Sequence, residues 1–287
     1  MTLRSTISTP EGKRRYVRRL FATIADRYDF ITGFLSYGQD RRWKQRLIAL
    51  AGIGPTDRML DLACGTGDLL LAAAADARTA VGLDVTHRML QLARRRAVKA
   101  RPMDAVVRAH PADAVGRPFT GRRSPTDAVV KAPDGVGRPL TGRRSFVTSD
   151  MLALPFGESC FDVVTTGYGL RNVTDLVLAI HEIHRVLAPG GRLLSLDFNK
   201  PGNRLVMSTY LAYLTVVGSA LGFVLHGDPD TYRYIPESIR QYPGATGVAR
   251  LMEAAGFAEV VVVPLLGGLM AIHVARKPIA TKITKTE

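Results

Sequence analysis

The stretch 59–68, with the sequence MLDLACGTGD, constrains the fold of this 287-residue chain more than any other. Its apolar beginning is typical of a buried strand, and Gly65 and Gly67, on either side of Thr66, allow a sharp turn into a helix. A ligand can lie directly on such a turn and on the helix N-terminus that follows. Asp84 closes the next apolar segment, seventeen residues after Gly67, where an acid can accept both hydroxyls of a ribose. Together these features predict a nucleotide pocket, although a glycine turn alone also occurs where nothing binds.

The residues around this turn favour S-adenosylmethionine over a dinucleotide. A dinucleotide site needs a third small residue where the helix packs on the strand, and Leu70 occupies that place. Asp68 opens the helix, and its carboxylate would repel a pyrophosphate. S-adenosylmethionine has no phosphate and carries a sulfonium and an ammonium group, which carboxylates attract. Asp61 and Asp68 therefore predict S-adenosylmethionine as the ligand.

Apolar segments and helical patterns alternate along the chain with short turns between them. The first strand is predicted to begin at Met59. Six further strands are predicted at 80–84, 146–150, 163–166, 192–197, 258–263 and 270–275. Helices are predicted within 13–35, then up to Ala51, and at 69–77, 88–98, 175–187 and 205–225. Such alternation implies right-handed crossovers and a parallel sheet. We therefore predict an α/β fold: a Rossmann-like, seven-stranded, mostly parallel sheet with an antiparallel last strand, helices on both faces and an N-terminal helical lid.

The pattern predicts one catalytic domain with additions. With 46% hydrophobic residues, the chain can bury one good core. Residues 1–51 are predicted to form an N-terminal helical cap, because apolar residues recur at helical spacing from Val17 to Tyr28. Residues 52–277 are the predicted catalytic domain, and 278–287 a polar tail.

A tandem repeat interrupts this domain. Residues 104–124 recur, two residues shorter, as 127–145. Two copies are too few for a solenoid, and their Pro, Gly and Arg content opposes a packed core. We therefore predict that 98–145 is a largely disordered insertion, dispensable for chemistry, between the second crossover helix and the third strand. The alternative is a basic arm that holds anionic lipid or nucleic acid.

The net charge of +14 is compatible with a nucleic-acid partner or an anionic membrane surface, but it is unevenly spread. Residues 98–145 carry ten Lys or Arg against four Asp, and so supply +6 of it. No Asn-Pro-Pro-aromatic sequence, which would hold a flipped base, follows the fourth strand. No nucleic-acid partner is therefore expected, and a nucleic-acid methyltransferase is kept only as an alternative.

The two cysteines bear on metals and on the cell compartment. Cys64 and Cys160 lack metal-ligand spacing, so no metal is predicted. Cys64 lies within the glycine turn and is a poor disulfide partner, which indicates a reducing, cytoplasmic compartment. The N-terminus is basic but lacks an apolar signal core.

Residues 205–225 carry no charged side chain and are long enough to span a bilayer. A span there would separate the fifth strand from the last two, and Gly218 and Gly222 weaken it. We predict instead a buried or lipid-facing lid helix. Such a helix implies a lipophilic substrate or peripheral contact with a membrane surface.

Arg171 and Asn172 follow the fourth strand. Ligands of open α/β sheets bind beyond the carboxyl ends of the strands, so both side chains can face the pocket. They can equally form a capping turn for the helix at 175–187. The residues alone leave these two interpretations open.

Several motifs occur together in this chain. The most particular are Gly-Leu-Arg-Asn at 169–172 and Tyr-Arg-Tyr-x-Pro-Glu-Ser-Ile at 232–239. The others are Tyr-Asp at 28–29, Ser-x-Gly-x-x-Arg-x-Trp-Lys at 36–44, the glycine turn at 60–68, Leu-Pro-Phe at 154–156 and Arg-Val-Leu-x-Pro-Gly-Gly at 185–191. In this set the chain resembles the quinone C-methyltransferases of ubiquinone and menaquinone biosynthesis, which are class I S-adenosylmethionine-dependent methyltransferases. The resemblance covers most of the chain outside 98–145 and the tails.

The resemblance implies how the methyl donor is held. Thr66 is expected to contact it, Asp84 to bind its ribose, and Asp150 with Met151 to lie near its adenine. With the residues of the glycine turn, the predicted donor-binding set is Asp61, Gly65, Thr66, Gly67, Asp84, Asp150 and Met151.

The resemblance also implies the reaction, which is methyl transfer to a ring carbon of a polyprenylated quinol. We expect demethylmenaquinol as the acceptor, giving menaquinol, in a bacterial cell. The alternative acceptor is the 2-methoxy-6-polyprenyl-1,4-benzoquinol of ubiquinone biosynthesis. A membrane-associated scaffold without catalysis is a further alternative, and a homodimer is compatible with the sequence.

This chemistry assigns roles to the candidate catalytic residues. A ring carbon ortho to a hydroxyl becomes nucleophilic when that hydroxyl loses its proton, so the enzyme needs alignment, a proton route and a positive neighbour for the phenolate. We predict that Arg171 stabilises the phenolate, that Asn172 holds a ring oxygen, and that Tyr28 positions the substrate or a water relay. His226 and His273 are candidate bases, although a lone histidine is more often structural.

Overall fold

A seven-stranded sheet forms the centre of the protein, for which a computed structural model describes residues 3–99 and 144–279. The strands are β1 (Arg58–Leu62), β2 (Thr79–Asp84), β3 (Arg144–Thr148), β4 (Phe161–Gly167), β5 (Leu187–Phe198), β6 (Ala258–Leu265) and β7 (Met270–Arg276). Their order across the sheet is β3-β2-β1-β4-β5-β7-β6. The first five are parallel, and β7 is antiparallel to both of its neighbours. The predicted Rossmann-like fold with an antiparallel last strand is confirmed.

Helices cover both faces of this sheet. In the described residues they are α1 (Leu3–Thr6), α2 (Pro10–Ile24), α3 (Tyr28–Leu35), α4 (Asp40–Ala51), α5 (Asp68–Ala73), α6 (His87–Lys99), α7 (Leu176–Val186), α8 (Arg204–His226), α9 (Tyr234–Gln241) and α10 (Gly244–Ala254). Met59 of β1 packs in a cluster with α4 and α5, whereas the next residue, Leu60, packs in a cluster with α7 and α10. Successive side chains of a strand point to opposite faces, so the two clusters are the two layers of the core.

The strand order reverses between β1 and β4, which are neighbours in the sheet although β2 and β3 separate them in the chain. At such a point the following loops diverge and leave a crevice at the carboxyl ends of the strands. Thr165 of β4 lies opposite Asp61 of β1 and donates a 2.7 Å hydrogen bond to its Oδ1. The glycine turn after β1, Asp84 at the end of β2 and the turn after β4 therefore share one edge of the sheet.

The cap over this edge is built from two parts of the chain. Residues of α2 and α3 pack in one buried cluster with residues that follow α8: Val17, Leu20, Ile24, Ile31, Tyr232 and Tyr234. By contrast α4, which the sequence-based division places in the 1–51 cap, packs on the sheet through Trp43 and Leu47. The N-terminal helices are thus joined over the site by the segment 204–241.

The helix predicted at 205–225 is confirmed as α8. Its buried positions are Leu214, Gly218 and Gly222, and a Cβ on Gly218 would lie 3.2 Å from the Cβ of Tyr232. By length and composition α8 could cross a bilayer, and it is the one helix of residues 3–99 and 144–279 that could, with 17% of its most apolar window buried. It therefore packs on the protein along one narrow face and leaves the rest of an apolar surface exposed.

Some predicted boundaries are wrong. β5 begins at Leu187, so the segment 189–191, which the sequence places before a strand predicted at 192–197, lies within the strand. Its main chain pairs with the residue after β7, because Gly190 N donates to Lys277 O at 2.7 Å and Lys277 N donates to Gly191 O at 2.8 Å. β3 ends at Thr148, which places Asp150 two residues beyond it. The first crossover helix ends at residue 73 instead of 77.

Most of the predicted 98–145 insertion, and all but the start of the predicted tail, lie outside the described residues. The ends of the insertion that are described belong to regular elements. Residues 98–99 complete α6, and 144–145 begin β3.

Candidate active site

Three adjoining cavities lie at the carboxyl edge of the sheet under the cap. The rim cavity, with about 770 Å³ of empty volume including its open mouth, is lined by residues that follow β2, β3 and β4, among them Asp84, Asp150, Met151 and Asn172. The turn cavity, about 310 Å³, is lined by the glycine turn and its neighbours, among them Lys44, Asp61, Gly65 and Thr66. The apolar cavity, about 720 Å³, is lined mainly by aromatic and aliphatic side chains of α2, α3 and α8, with Arg171.

Tyr28 and Tyr168 line all three cavities. Tyr28 begins α3, and its ring meets that of Phe21 edge-on at 6.1 Å. Burial raises the pKa of the Tyr28 hydroxyl, so it stays protonated at neutral pH. The predicted position of Tyr28 in the pocket is thus at the junction between the polar and the apolar cavities.

The glycine turn leaves one carboxylate oxygen without a partner. Gly65 and Gly67 have φ of +55° and +90°, which only glycine adopts readily. Asp61, just before the turn, is 1% exposed, and its Oδ2 has no hydrogen-bond partner. Burial raises the pKa of Asp61 to about 7. Because Asp61 lines the turn cavity, an ammonium group there would supply the missing donor.

Asp84, the predicted ribose-binding acid, is held by two main-chain N–H groups. Its Oδ1 accepts a hydrogen bond from Thr86 N at 2.7 Å, and its Oδ2 accepts one from Gly65 N at 2.9 Å. Burial raises the pKa of Asp84, and these two N–H groups oppose the rise. A carboxylate has about four acceptor positions, so each oxygen can still accept a hydroxyl from the rim cavity.

Asp150 and Met151 both line the rim cavity, and the cap reaches one of them. Asp150 Oδ1 accepts from Leu152 N at 3.1 Å, whereas Oδ2 pairs with Arg14 of α2 at 3.1 Å. One oxygen of the acid predicted to lie near the adenine is therefore paired with a cap arginine.

Thr66 and Asp68 belong to a charged network instead of facing the cavity alone. Arg96 donates to Thr66 Oγ1 at 3.1 Å and to Asp68 Oδ1 at 2.7 Å, and Lys44 pairs with Asp68 Oδ2 at 2.8 Å. Burial alone would raise the pKa of Asp68, but Lys44 and Arg96 together lower it. Two cations already neutralise this carboxylate, so the sequence argument that Asp68 attracts a cationic ligand is wrong. Asp61 alone carries that argument.

Arg171 lies in a short 3-10 helix, Leu170–Asn172, directly after β4. Its main-chain N donates to Asp197 Oδ2 at 3.2 Å, its guanidinium pairs with Asp197 Oδ1 at 3.6 Å, and it lies 4.7 Å above the Phe198 ring. The Arg171 side chain is 7% exposed and lines the apolar cavity, and its buried Nε has no hydrogen-bond partner. α7 is capped instead by Asp175, whose Oδ1 accepts from Leu178 N at 2.9 Å, so the capping interpretation of this turn is wrong.

Asn172 faces the other side of the junction. Its Nδ2 donates to Tyr168 O at 2.7 Å, its Oδ1 is buried without a partner, and it lines the rim cavity. Lys13 of α2 donates to the carbonyls of Arg171 and Val173 at 3.2 and 2.6 Å. The cap therefore holds this turn through its main chain.

Sequence reasoning missed two tyrosines. Tyr168 precedes the Gly-Leu-Arg-Asn motif, and its Oη donates to Asp40 Oδ1 at 2.7 Å. Tyr234 is 1% exposed, lines the apolar cavity, and has an Oη without a partner. Both lie in or beside motifs singled out in the sequence, which is the signal that could have found them.

Neither candidate histidine lines these cavities. His226 Nε2 lies 2.9 Å from Tyr232 Oη, and His273, buried in β7, lies 2.9 Å from Ala245 O. Burial lowers the pKa of both rings. Within the part of the chain that the structure describes, no group of three or more His, Cys, Asp or Glu side chains could hold a metal ion.

The fold is shared with solved methyltransferases. A possible histamine N-methyltransferase from Thermotoga maritima aligns with a TM-score of 0.55 at 14% identity, over 91% of this chain and 99% of that one. A putative S-adenosyl-L-methionine-dependent methyltransferase from Methanococcus maripaludis aligns with a TM-score of 0.54 at 18% identity, over 91% and 95% of the two chains. At these identities the likeness concerns the fold alone.

Sequence relatives are closer. A demethylmenaquinone methyltransferase of Mycobacterium sp. strain KMS is 35% identical, over 91% of this chain and 94% of the relative. One from Thermus thermophilus is 36% identical over 90% and 100%. A ubiquinone/menaquinone biosynthesis C-methyltransferase UbiE of Teredinibacter turnerae is 34% identical over 92% of each.

The family profile agrees with these relatives. The profile of the ubiE/COQ5 methyltransferase family matches residues 9–120 and 139–277. The residues between the two matched ranges, 121–138, fall inside the predicted insertion. With the sheet order, the glycine turn and the cavities described above, these matches give one conclusion: the chain belongs to the ubiE/COQ5 methyltransferase family.

Proposed function

We propose that this protein transfers the methyl group of S-adenosylmethionine to a ring carbon of a polyprenylated quinol, with demethylmenaquinol as the preferred acceptor. The observation that carries this proposal is the junction at Tyr28 and Tyr168, where two polar cavities open onto an apolar one. A polar methyl donor needs a polar cavity and an apolar aromatic acceptor needs an apolar one. The two cavities must also meet, because the methyl group has to reach the ring carbon.

The polar cavities fit S-adenosylmethionine. Asp61 Oδ2, buried and unpartnered, would hold the ammonium group of the donor. Asp84 would bind the ribose hydroxyls, with Asp150 and Met151 beside the adenine. When bound, the donor supplies an electrophilic methyl group on a cationic sulfur. Because the surrounding carboxylates are buried, water is excluded from these contacts and does not weaken them.

The apolar cavity fits an aromatic ring that carries two oxygens. Asp197 fixes the guanidinium of Arg171 from one side, which leaves Nε as a free donor for a phenolate oxygen. Tyr234 also lines this cavity and has a buried Oη without a partner, and burial raises the pKa of Tyr234 and so keeps its proton in place. Arg171 would stabilise the phenolate, Tyr28 would position the ring, and Asn172 would hold the oxygen nearest the rim cavity.

The helices α3 and α8, which cover the apolar cavity, favour a substrate that is dissolved in the membrane. α3 and α8 line the apolar cavity from inside with residues such as Ile31 and Leu214. Their outer sides expose Phe30, Phe34, Leu205, Val216, Phe223 and Val224, each 49 to 76% accessible. At the start of α8, Lys200, Arg204 and Arg240 line a basic groove. An apolar helix with cations at one end favours the surface of an anionic membrane.

We therefore propose peripheral attachment to the cytoplasmic face of the membrane, from which the prenyl tail enters between α3 and α8. The inward contacts of Gly218 and Gly222 favour this arrangement over a span, because they hold α8 against the rest of the protein. A homodimer stays a prediction, for which light scattering in detergent is the measurement.

The deciding experiment is methylation in vitro. The purified protein is supplied with S-adenosylmethionine and with reduced demethylmenaquinone or the methoxy-polyprenyl-benzoquinol in detergent, and product masses are read. We expect the naphthoquinol to gain one methyl group at the higher kcat/KM. If calorimetry shows donor binding while neither quinol gains a methyl group, the proposal is wrong. A higher kcat/KM for the benzoquinol would support the alternative acceptor, in line with relatives named for ubiquinone as well as menaquinone biosynthesis, such as the Teredinibacter protein.

A further inference from the structure

The proposed reaction needs a group that accepts the phenolic proton. Two tyrosines of the apolar cavity make hydrogen bonds that could serve a proton relay: Tyr232 with His226, and Tyr168 with Asp40. Tyr232 lines only the apolar cavity among the three, whereas Tyr168 lines all of them. The hydroxyl that loses its proton is ortho to the carbon that meets the methyl group, so the acceptor must stand at the junction. Tyr168 is therefore a better candidate than Tyr232 for the proton acceptor.

The main chain fixes Tyr168 in an unusual conformation. Its φ is +59°, in the left-handed region that residues with a Cβ rarely adopt, and its N donates to Leu196 O at 2.7 Å. The side chain is 8% exposed. Residues held in this region cluster at functional sites, because the surrounding structure must compensate for the strain. In this conformation the Tyr168 hydroxyl reaches the start of α4.

Asp40, the first residue of α4, is held on all sides. It is 8% exposed; Oδ1 accepts from Tyr168 Oη at 2.7 Å, and Oδ2 pairs with Lys44 Nζ at 2.6 Å. Asp40 N donates to Ser36 Oγ at 3.2 Å. Because Tyr168 Oη donates its hydrogen bond to Asp40, its lone pairs are free to accept a hydrogen bond from a ligand in the cavity.

We propose that Tyr168, backed by Asp40, accepts the phenolic proton of the quinol at the junction of the three cavities. The inference rests on the proposed function and deepens it. Tyr168 would touch the substrate and act as the catalytic residue, and Asp40 acts through it as a positioning residue and final proton acceptor. Other titratable or charged groups that face the pair come from α3, α4, α5, β5 and the turn after β4: Tyr28, Lys44, Asp68, Asp197 and Arg171.

The proton movements balance. The quinol O–H proton passes to Tyr168 Oη while the proton of Tyr168 passes to Asp40 Oδ1. The ring carbon then forms a bond to the methyl group, and the electron pair of the broken sulfur–carbon bond stays on sulfur. The ring carbon loses its hydrogen to water, and the ring oxygen regains the proton stored on Asp40. One proton is released for each methyl transferred. Burial and the neighbouring Asp40 carboxylate raise the pKa of Tyr168, so the tyrosine relays the proton without itself ionising.

Two variants test the pair. Tyr168→Phe removes only the hydroxyl, and Asp40→Asn keeps an oxygen for Tyr168 but cannot take the proton. We expect kcat to fall about 100-fold or more in each, with the donor Kd and the quinol KM within about threefold of wild type. In Asp40→Asn, kcat should rise with pH, because hydroxide must take the proton. Tyr242→Phe, which removes a buried, unpartnered hydroxyl outside the cavities, is the control and should keep wild-type kcat.

The outcomes separate the two proposals. If wild type methylates quinol and Tyr168→Phe does so with unchanged kcat and pH profile, the proton-accepting pair is wrong and the proposed function stands. If His226→Gln changes the pH profile and the Tyr168 and Asp40 variants do not, the relay through Tyr232 replaces it. If wild type methylates no quinol, both proposals fall. Should Tyr168→Phe lose donor binding, Asp40→Asn decides alone by the same criteria.

Discussion

Replacing Asp61 by Asn tests how the glycine turn recognises a methyl donor. The substitution keeps an oxygen for the 2.7 Å hydrogen bond from Thr165 and replaces the unpartnered Oδ2 by an NH₂ group. A hydrogen bond from a cation to a buried carboxylate contributes about 1.5–3 kcal/mol. Its loss predicts that the Kd for S-adenosylmethionine rises about 10- to 150-fold.

The same substitution should stabilise the protein without its donor. Burial raises the pKa of Asp61 to about 7, whereas an unfolded aspartate titrates near 3.8. Between these values the folded state binds more protons than the unfolded state, so the free energy of unfolding falls as pH rises, by about 4 kcal/mol at full ionisation. Asn avoids this loss but leaves a buried NH₂ group without an acceptor, at a cost of about 1–3 kcal/mol. The net gain at pH 8 is therefore about 1–3 kcal/mol.

Calorimetry and urea unfolding at pH 5 and pH 8 measure the two effects. Wild type should bind the donor more tightly at pH 8 than at pH 5, and Asp61→Asn should lose most of this difference. The stability advantage of the variant should grow between the two pH values. Asp76→Asn, which removes an exposed carboxylate, is the control for net charge. Wild-type donor affinity in Asp61→Asn, or a stability advantage that shrinks as pH rises, would refute the reasoning.

Four further predictions follow from the cap, the turn after β4 and the insertion. Arg171→Ala should lower kcat about 100-fold with donor affinity unchanged. It should also lower the free energy of unfolding by about 3–5 kcal/mol, because Asp197 is left buried and unpaired; unchanged turnover would show that Arg171 does not stabilise the phenolate. Arg14→Ala frees Asp150 Oδ2 and should tighten donor binding up to about fivefold in calorimetry; weaker binding would mean that Arg14 itself holds the donor. Phe223→Glu should reduce binding to anionic vesicles by more than about tenfold while turnover in detergent is kept, since a 66% exposed aromatic ring would no longer enter lipid; flotation assays measure this, and unchanged flotation would place the contact elsewhere. Deleting 121–138, which the family profile leaves unmatched, should change neither donor affinity nor kcat, and a loss of turnover with donor binding kept would give the insertion a role.

The sequence predicted the sheet well because its signals are local. Apolar runs, the turn around Thr66 and the acid at Asp84 each lie within one strand and its following loop. The electrostatic partners could not be predicted in the same way. Asp68 is neutralised by Lys44 and Arg96, which stand 24 and 28 residues away on α4 and α6. Such pairs depend on how helices pack, which hydrophobic periodicity does not specify.

The apolar cavity shows the same limit. Tyr168 and Asp40 are 128 residues apart in the chain, and each looks unremarkable beside its own neighbours. Their hydrogen bond arises only because α4 packs on the sheet next to β5. The unpartnered Oη of Tyr234 likewise follows from the cap cluster and not from its motif. Motifs therefore predicted which residues line the cavities, and packing determines which of their polar atoms have partners.

The cap and the site form one unit, which bears on the division of the chain at residue 51. Lys13 of α2 holds the carbonyl groups of Arg171 and Val173, and the neighbouring Arg14 pairs with Asp150. One turn of α2 thus contacts both the turn after β4 and the acid that follows β3 in the rim cavity. Further along the cap, Asp29 pairs with Arg96, which also binds Thr66 in the glycine turn. Opening the cap must break these contacts together, so we expect donor binding and acceptor positioning to be coupled through α2, and we propose that the cap is part of the active site.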